Sequence, residues 1–212
     1  MAKAILFDLD GTLTDSGEGI MNCAAFALEY YGIPVPPREE LRVFVGPPLR
    51  DMFFKFGVPE NKLDEAVDVY RSRYLPTGML ENRPYDGIRE LLAELSKLGY
   101  RLFVVTSKPE TTSVRILEHF GMESYFEKIA GATFDGKRDS KSQVIAYLLE
   151  QVEDISDAIM VGDTAYDVIG AASHGIATIG VSWGYGEVAD MQAAGAKAIA
   201  YNTEELLWLL TT

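Results

Sequence analysis

The sequence predicts an α/β fold: a doubly wound parallel-sheet core with a small inserted α-helical cap domain. Three patterns carry that reading. Short apolar runs recur along the chain, amphipathic helical stretches lie between them, and one early segment has helical periodicity only. Strands alternating with helices imply βαβ units, right-handed crossovers and hence a parallel sheet.

The first run, Ala4-Ile5-Leu6-Phe7, stops abruptly at Asp8. It is too short for a helix and lacks alternation, so it reads as a strand buried on both faces. No strand-like run follows between residues 16 and 83. Ile20, Ala24, Ala27, Leu28 and Tyr31 share one helical face, and Leu63, Ala66, Val67, Tyr70 and Tyr74 share another. Gly32, Pro34 to Pro37, Gly46-Pro47-Pro48 and Pro76 to Pro84 punctuate this segment. Residues 16–83 are therefore expected to form the cap, hinged near Thr14-Asp15 and the Pro76 to Pro84 return, with residues 1–15 and 84–212 forming the core.

In the core, Ile88, Leu91, Leu92, Leu95 and Leu98 keep helical spacing and stop at Gly99. Leu102 to Val105 reads as a strand. Pro109 is expected to open the next helix at its first position, and Leu117 and Phe120 precede its stop at Gly121. Lys128-Ile129-Ala130 is a weaker strand. Val144, Ile145, Leu148 and Leu149 mark a helix, and Ala158 to Val161 and Ala177 to Val181 are strands. Ala198 to Ala200 is a last short strand. Thr203 is expected to cap the final helix, with Glu204 and Glu205 in its first turn.

Composition narrows the function. Among 212 residues, 48% are hydrophobic, 19 are basic and 32 acidic, for a net charge of −13. Such a chain repels a phosphate backbone and an anionic membrane, so neither nucleic acid nor membrane is an expected partner. The lone Cys23 has no intramolecular partner for a disulfide. No leader pattern opens the chain, and no apolar run approaches the about 18 residues that span a bilayer. The expected location is cytoplasmic, as a monomer or homodimer.

Ligands of a parallel-sheet domain bind outside the carboxyl ends of its strands. Asp8 and Asp10 lie there, in Asp8-Leu9-Asp10-Gly11-Thr12, and residues two apart on an extended chain face the same side. Gly11 permits a sharp turn after them. A later strand ends the same way, in Val161-Gly162-Asp163, with Asp167 one helical turn further. At an effective dielectric of 20, two unit charges about 4 Å apart repel by about 4 kcal/mol, so clustered carboxylates call for a cation. Hard oxygen ligands suit Mg²⁺. Thr106-Ser107-Lys108 follows another strand and offers hydroxyls and helix-start N–H groups to an anion. Lys141, at the start of a helix, can supply positive charge, with Lys137 and Arg138 as rivals. Arg50, after Gly46-Pro47-Pro48-Leu49, is a possible anion contact in a cap loop, or a surface arginine at a helix start.

Taken together, these motifs resemble the haloacid dehalogenase superfamily in its phosphoglycolate phosphatase-like branch. Asp8 to Leu13, Thr106, Lys141, and Gly162-Asp163 with Asp167 match that family's four motifs in order. The proline-rich flank common around its third motif is absent here. The resemblance implies a Rossmann-like core and a Mg²⁺-dependent phosphomonoester hydrolase acting on a small phosphorylated metabolite. Asp8 would be the nucleophile, forming an aspartyl-phosphate. Asp10 would be the general acid and base. Thr106 and Lys141 would hold the phosphoryl group, and Lys141 would also steady Asp8. The metal would lie on Asp8, Asp163 and the Asp10 carbonyl, with Asp167 as a further metal residue, either binding directly or orienting the metal's surroundings through water or the lysine. Gly11, Thr12, Ser107, Lys108 and Arg50 would contact substrate. Asp10 argues against dehalogenases and ion-pumping ATPases, which lack an acid–base group there. A sugar phosphomutase similar to beta-phosphoglucomutase, a 5′-nucleotidase-type phosphatase and a non-catalytic relative are the alternatives.

Overall fold

The computed structural model describes residues 4–155 and 157–212; residues 1–3 of the expected core lie outside it. In chain order the strands are β1 (Ala4–Phe7), β2 (Thr14–Asp15), β3 (Arg83–Pro84), β4 (Arg101–Pro109), β5 (Lys128–Ala132), β6 (Ala158–Gly162), β7 (Ala177–Val181) and β8 (Ala198–Ala200). The helices are α1 (Gly17–Tyr30), α2 (Arg38–Leu41), α3 (Leu49–Lys55), α4 (Leu63–Tyr74), α5 (Ile88–Lys97), α6 (Glu110–His119), α7 (Lys141–Gln151), α8 (Ala165–Ala172), α9 (Val188–Ala193) and α10 (Thr203–Thr211). None is long and apolar enough to cross a membrane, among the described residues.

The chain divides into two compact units. One comprises residues 1–14 and 84–212, the other residues 15–83. In the first, six strands form a parallel sheet in the order β5-β4-β1-β6-β7-β8. The chain order runs outward from β1 to one edge and then from β6 to the other. The crevice where direction reverses, beyond the ends of β1 and β6, is where such sheets take ligands.

β1 is fully buried along its length, as a central parallel strand demands. Its alternate residues serve opposite faces. Ala4 and Leu6 join Val144, Ile145 and Leu148 of α7 and Ala171 of α8 in one core layer, while Phe7, of the other alternation, meets the ring of Phe126 edge-on at 6.4 Å. α10 packs against α5 and along β7 and β8.

In the second unit, α1 lies along α4. An aromatic cluster of Phe44, Phe53, Phe56 and Tyr70 fills its interior, and Arg73 forks onto Glu81 with two bonds of 2.8 Å. The β2–β3 ribbon marks the point where the chain passes from one unit to the other and returns.

Two local expectations are corrected. β4 does not stop at Val105 but continues through Pro109, which caps α6 from extended backbone (φ −54°, ψ 130°) instead of occupying its first turn. Asn202, not Thr203, caps α10: its side chain accepts the Glu205 N–H at 2.8 Å. The Thr203 side chain lies against Gly87, where a Cβ would be 2.3 Å from its Oγ1. Gly87 itself has φ +79°, a second reason for glycine there.

Candidate active site

The site grows from the carboxyl end of β1. The Asp8 N–H donates to the Val161 carbonyl at 2.9 Å, which carries the ladder one residue beyond the strand and holds the Asp8 backbone. Asp8 Oδ1 accepts the Leu9 N–H at 2.7 Å and lies 2.8 Å from Lys141 Nζ. Lys141 is the first residue of α7, whose Ser140 cap and Gln143 satisfy each other's backbone reciprocally. Its ammonium also reaches Asp167 Oδ1 at 2.7 Å and donates to the Val105 carbonyl at 3.0 Å. Two carboxylates and one carbonyl thus surround the ammonium. The structure places Lys141, not its rivals, in this cluster. Lys137 is exposed and pairs with Asp135, and Arg138 pairs with Glu110 and covers the Tyr147 ring.

Asp167 stands in the first turn of α8, where its Oδ2 accepts from the Thr164 N–H and hydroxyl at 3.0 and 2.8 Å. Asp163, just past β6, accepts the Thr12 hydroxyl at 3.2 Å on Oδ1 and the Tyr185 N–H at 2.8 Å on Oδ2. Glycines admit these carboxylates. A Cβ on Gly11 would sit 2.1 Å from Asp163 Oδ2, and one on Gly184 would sit 2.3 Å from the same atom. A Cβ on Gly162 would come within 2.3 Å of Asp167 Cγ, and one on Gly170 within 2.8 Å of Lys141 Cβ.

Asp10 pairs with Lys108, Oδ2 to Nζ, at 2.6 Å. Thr106 is buried on β4, and its Oγ1 accepts the Lys108 N–H at 3.2 Å. Ser107 is half-buried between them. Arg50 lies on α3 in the other unit, where its guanidinium pairs with Asp64. The sequence did not single out the Tyr185 N–H, Gly184 or Gly170. Nor did it show that the Trp183 indole N–H donates to the Thr12 carbonyl at 3.1 Å. The position of Ser182 to Gly186 after a strand end was the one available signal.

The electrostatics are those of a site short of positive charge. Burial pushes the Asp8 carboxyl up to about 6 despite the pull of Lys141, and burial raises Asp163 well above the carboxylate range, with Asp167 and Asp8 adding to it. Burial alone would push Lys141 down, but the Asp167 and Asp8 carboxylates hold it above an ordinary lysine. Oxygens of Asp8, Asp163 and Asp167 lie within 4.8 Å of one another. Three carboxylates against one ammonium leave two negative charges, and an all-oxygen donor set of that charge fits a hard divalent cation.

Residues 5–181 match the haloacid dehalogenase-like hydrolase family, and the chain belongs to it. It is 48% identical over 185 residues to "Tyrosine-protein kinase PtkA" of Mycobacterium tuberculosis, covering 87% of this chain but only 63% of that protein's length. It is 42% identical over 191 residues to a "5′-nucleotidase" of Pseudomonas aeruginosa, covering 89% and 86% of the two chains. Among solved structures, a predicted phosphatase from Clostridium acetobutylicum superposes with a TM-score of 0.94 at 42% identity, covering 99% of this chain and 98% of the other.

Proposed function

We propose that this protein is a Mg²⁺-dependent phosphomonoester hydrolase that acts on a small phosphorylated metabolite through an aspartyl-phosphate on Asp8. The observation that carries the reading is the buried Asp8 carboxylate at the sheet's reversal point, held by Lys141, with a second carboxylate two residues on. Asp8, Asp163 and the Asp10 main-chain carbonyl would hold the cation, which when bound screens the repulsion between a carboxylate and a phosphate dianion. Asp167 is already engaged on both sides, Oδ1 in an ion pair with Lys141 and Oδ2 accepting from Thr164, so its task would be to orient Lys141.

In the first step an Asp8 oxygen bonds to phosphorus, the ester P–O bond breaks, and Asp10 gives its proton to the leaving oxygen. In the second, a water oxygen attacks phosphorus, the Asp8–phosphorus bond breaks, and the water proton returns to Asp10. A positioned acid–base group of this kind contributes about 10²–10⁴-fold. The Thr106 hydroxyl, which accepts from Lys108, keeps its own proton for a phosphoryl oxygen.

The test is phosphate release from a panel containing nucleoside monophosphates, sugar phosphates, short-chain acid phosphates and phosphotyrosine. It is run with Mg²⁺ and then with excess chelator. Release with Mg²⁺ and loss with chelator are expected. Full turnover in chelator would overturn the metal requirement, and phosphoryl transfer to a sugar phosphate or a protein tyrosine without phosphate release would replace hydrolase by mutase or kinase.

A related expectation concerns Gly184. An alanine there must displace Asp163. Gly184→Ala should raise the Mg²⁺ concentration for half-maximal activity by about 10-fold or more, read from a Mg²⁺ titration of phosphate release.

A further inference from the structure

We propose that Lys108 is a positioning residue for Asp10: it anchors one carboxylate oxygen and leaves the other to move the proton. The inference rests on the reading of Asp10 as the acid–base group, and it replaces the expectation that Lys108 contacts substrate phosphate.

The anchor is made by an irregularity in β4. Pairing with β5 steps from Thr106–Gly131 directly to Pro109–Ala132, so Ser107 and Lys108 bulge out of the ladder. Gly131 makes this possible, because a Cβ there would lie 2.6 Å from both the Lys108 carbonyl oxygen and the Glu110 Cα. A bulge re-aims a side chain at the rim of a sheet. Here the re-aimed side chain belongs to Lys108, whose backbone N–H is fixed on Thr106 Oγ1 and whose ammonium meets Asp10 Oδ2 at 2.6 Å.

Both side chains are nearly enclosed, at 6% and 13% exposure. A pair so withdrawn from water is costly to break from one side, since the remaining charge stays buried without its partner. A phosphate contact by Lys108 would have to share an ammonium already committed to Asp10. The two Asp10 oxygens are also unlike. Oδ2 is held by Lys108, whereas the buried Oδ1 accepts no hydrogen bond among the described residues. One oxygen fixes the plane of the carboxylate, and the other remains available to a leaving oxygen or a water. Proton transfer depends on such orientation, and a displacement of about 1 Å can cost on the order of 10²-fold.

The experiment compares Lys108→Met, Lys108→Arg, Asp10→Asn and the double variant Asp10→Asn/Lys108→Met on two esters. One is p-nitrophenyl phosphate, whose leaving group needs no proton, and the other is glycerol phosphate, whose leaving alkoxide does. With Lys108→Met, kcat on glycerol phosphate should fall on the order of 10²-fold. The first-turnover release of p-nitrophenol should change by only a few-fold, and acid-quenched protein should carry phosphate on Asp8. Lys108→Arg should restore most of the loss, and the double variant should be no slower than Asp10→Asn alone. An equal rise in KM for both esters at unchanged kcat, with multiplicative losses in the double variant, would overturn the inference and make Lys108 a phosphate contact. Glycerol phosphate turnover by Asp10→Asn at the wild-type rate would instead overturn the acid–base reading, and the inference with it. Melting curves accompany each variant, and Lys108→Gln carries the same comparison if the methionine variant does not fold.

Discussion

Asp8→Asn should abolish phosphate release while leaving the protein at least as stable as the wild type. The amide cannot attack phosphorus or hold a cation as a carboxylate does, so no covalent intermediate forms. The loss should reach the detection limit of the assay with every ester in the panel. Stability should move the other way. Burial makes the Asp8 charge costly, and Lys141 keeps Asp167 and the Val105 carbonyl when that charge is removed. In protein stripped of divalent cations, the melting temperature of Asp8→Asn should therefore equal or exceed that of the wild type. A variant that is inactive because it has unfolded would show the opposite, so the two measurements together separate a lost nucleophile from a lost fold. Near-normal turnover in Asp8→Asn would end the covalent mechanism.

Lys141→Met should damage both properties at once. The methionine fills most of the volume of the lysine stem but removes the ammonium that compensates Asp8 and Asp167. Breaking a buried ion pair from one side typically costs about 3–5 kcal/mol, which for a domain of this size is on the order of 10 °C in melting temperature. The orphaned carboxylates then relieve their repulsion by taking up protons. A protonated Asp8 is no longer a nucleophile, so kcat should fall by several orders of magnitude. Mg²⁺ should recover more melting temperature in this variant than in the wild type, because less positive charge is already present. Lys137→Met, by contrast, removes an exposed lysine whose pair with Asp135 lies at the surface, and should change neither melting temperature nor kcat measurably. If the two variants behaved alike, the buried lysine would not be the cation on which the site depends.

The contrast between those lysines shows where reading along the chain ends. Ala4 to Phe7 and Ala158 to Val161 were legible as central strands because an apolar run without alternation has one comfortable place, a parallel sheet covered on both faces. An aspartate directly after such a run must emerge at the carboxyl edge, so the placement of Asp8 and Asp163 was already determined by their neighbours. Gly99 and Gly121 were legible as helix stops for an equally local reason, a positive φ that glycine takes without strain. The cap of α10 falls one residue before the expected one because Asn202 and Thr203 can both cap, and the Thr203 side chain lies against Gly87, far away in sequence.

The sequence by itself determined the parallel α/β core, the strand ends that carry the acids, and the family to which the chain belongs. Only the tertiary structure decided which lysine enters the acid cluster and that Lys108 turns to Asp10. It also decided that Tyr185 and Gly184 shape the surroundings of Asp163. The physical reason is separation along the chain. Strand burial and helix stops are set within a few residues. The Thr12–Asp163 bond, however, joins residues 151 positions apart, and the Lys141–Val105 bond joins residues 36 apart. Such contacts exist only after β1, β4 and β6 have been laid side by side, and a bulge as small as Ser107-Lys108 then decides which way a charged side chain points.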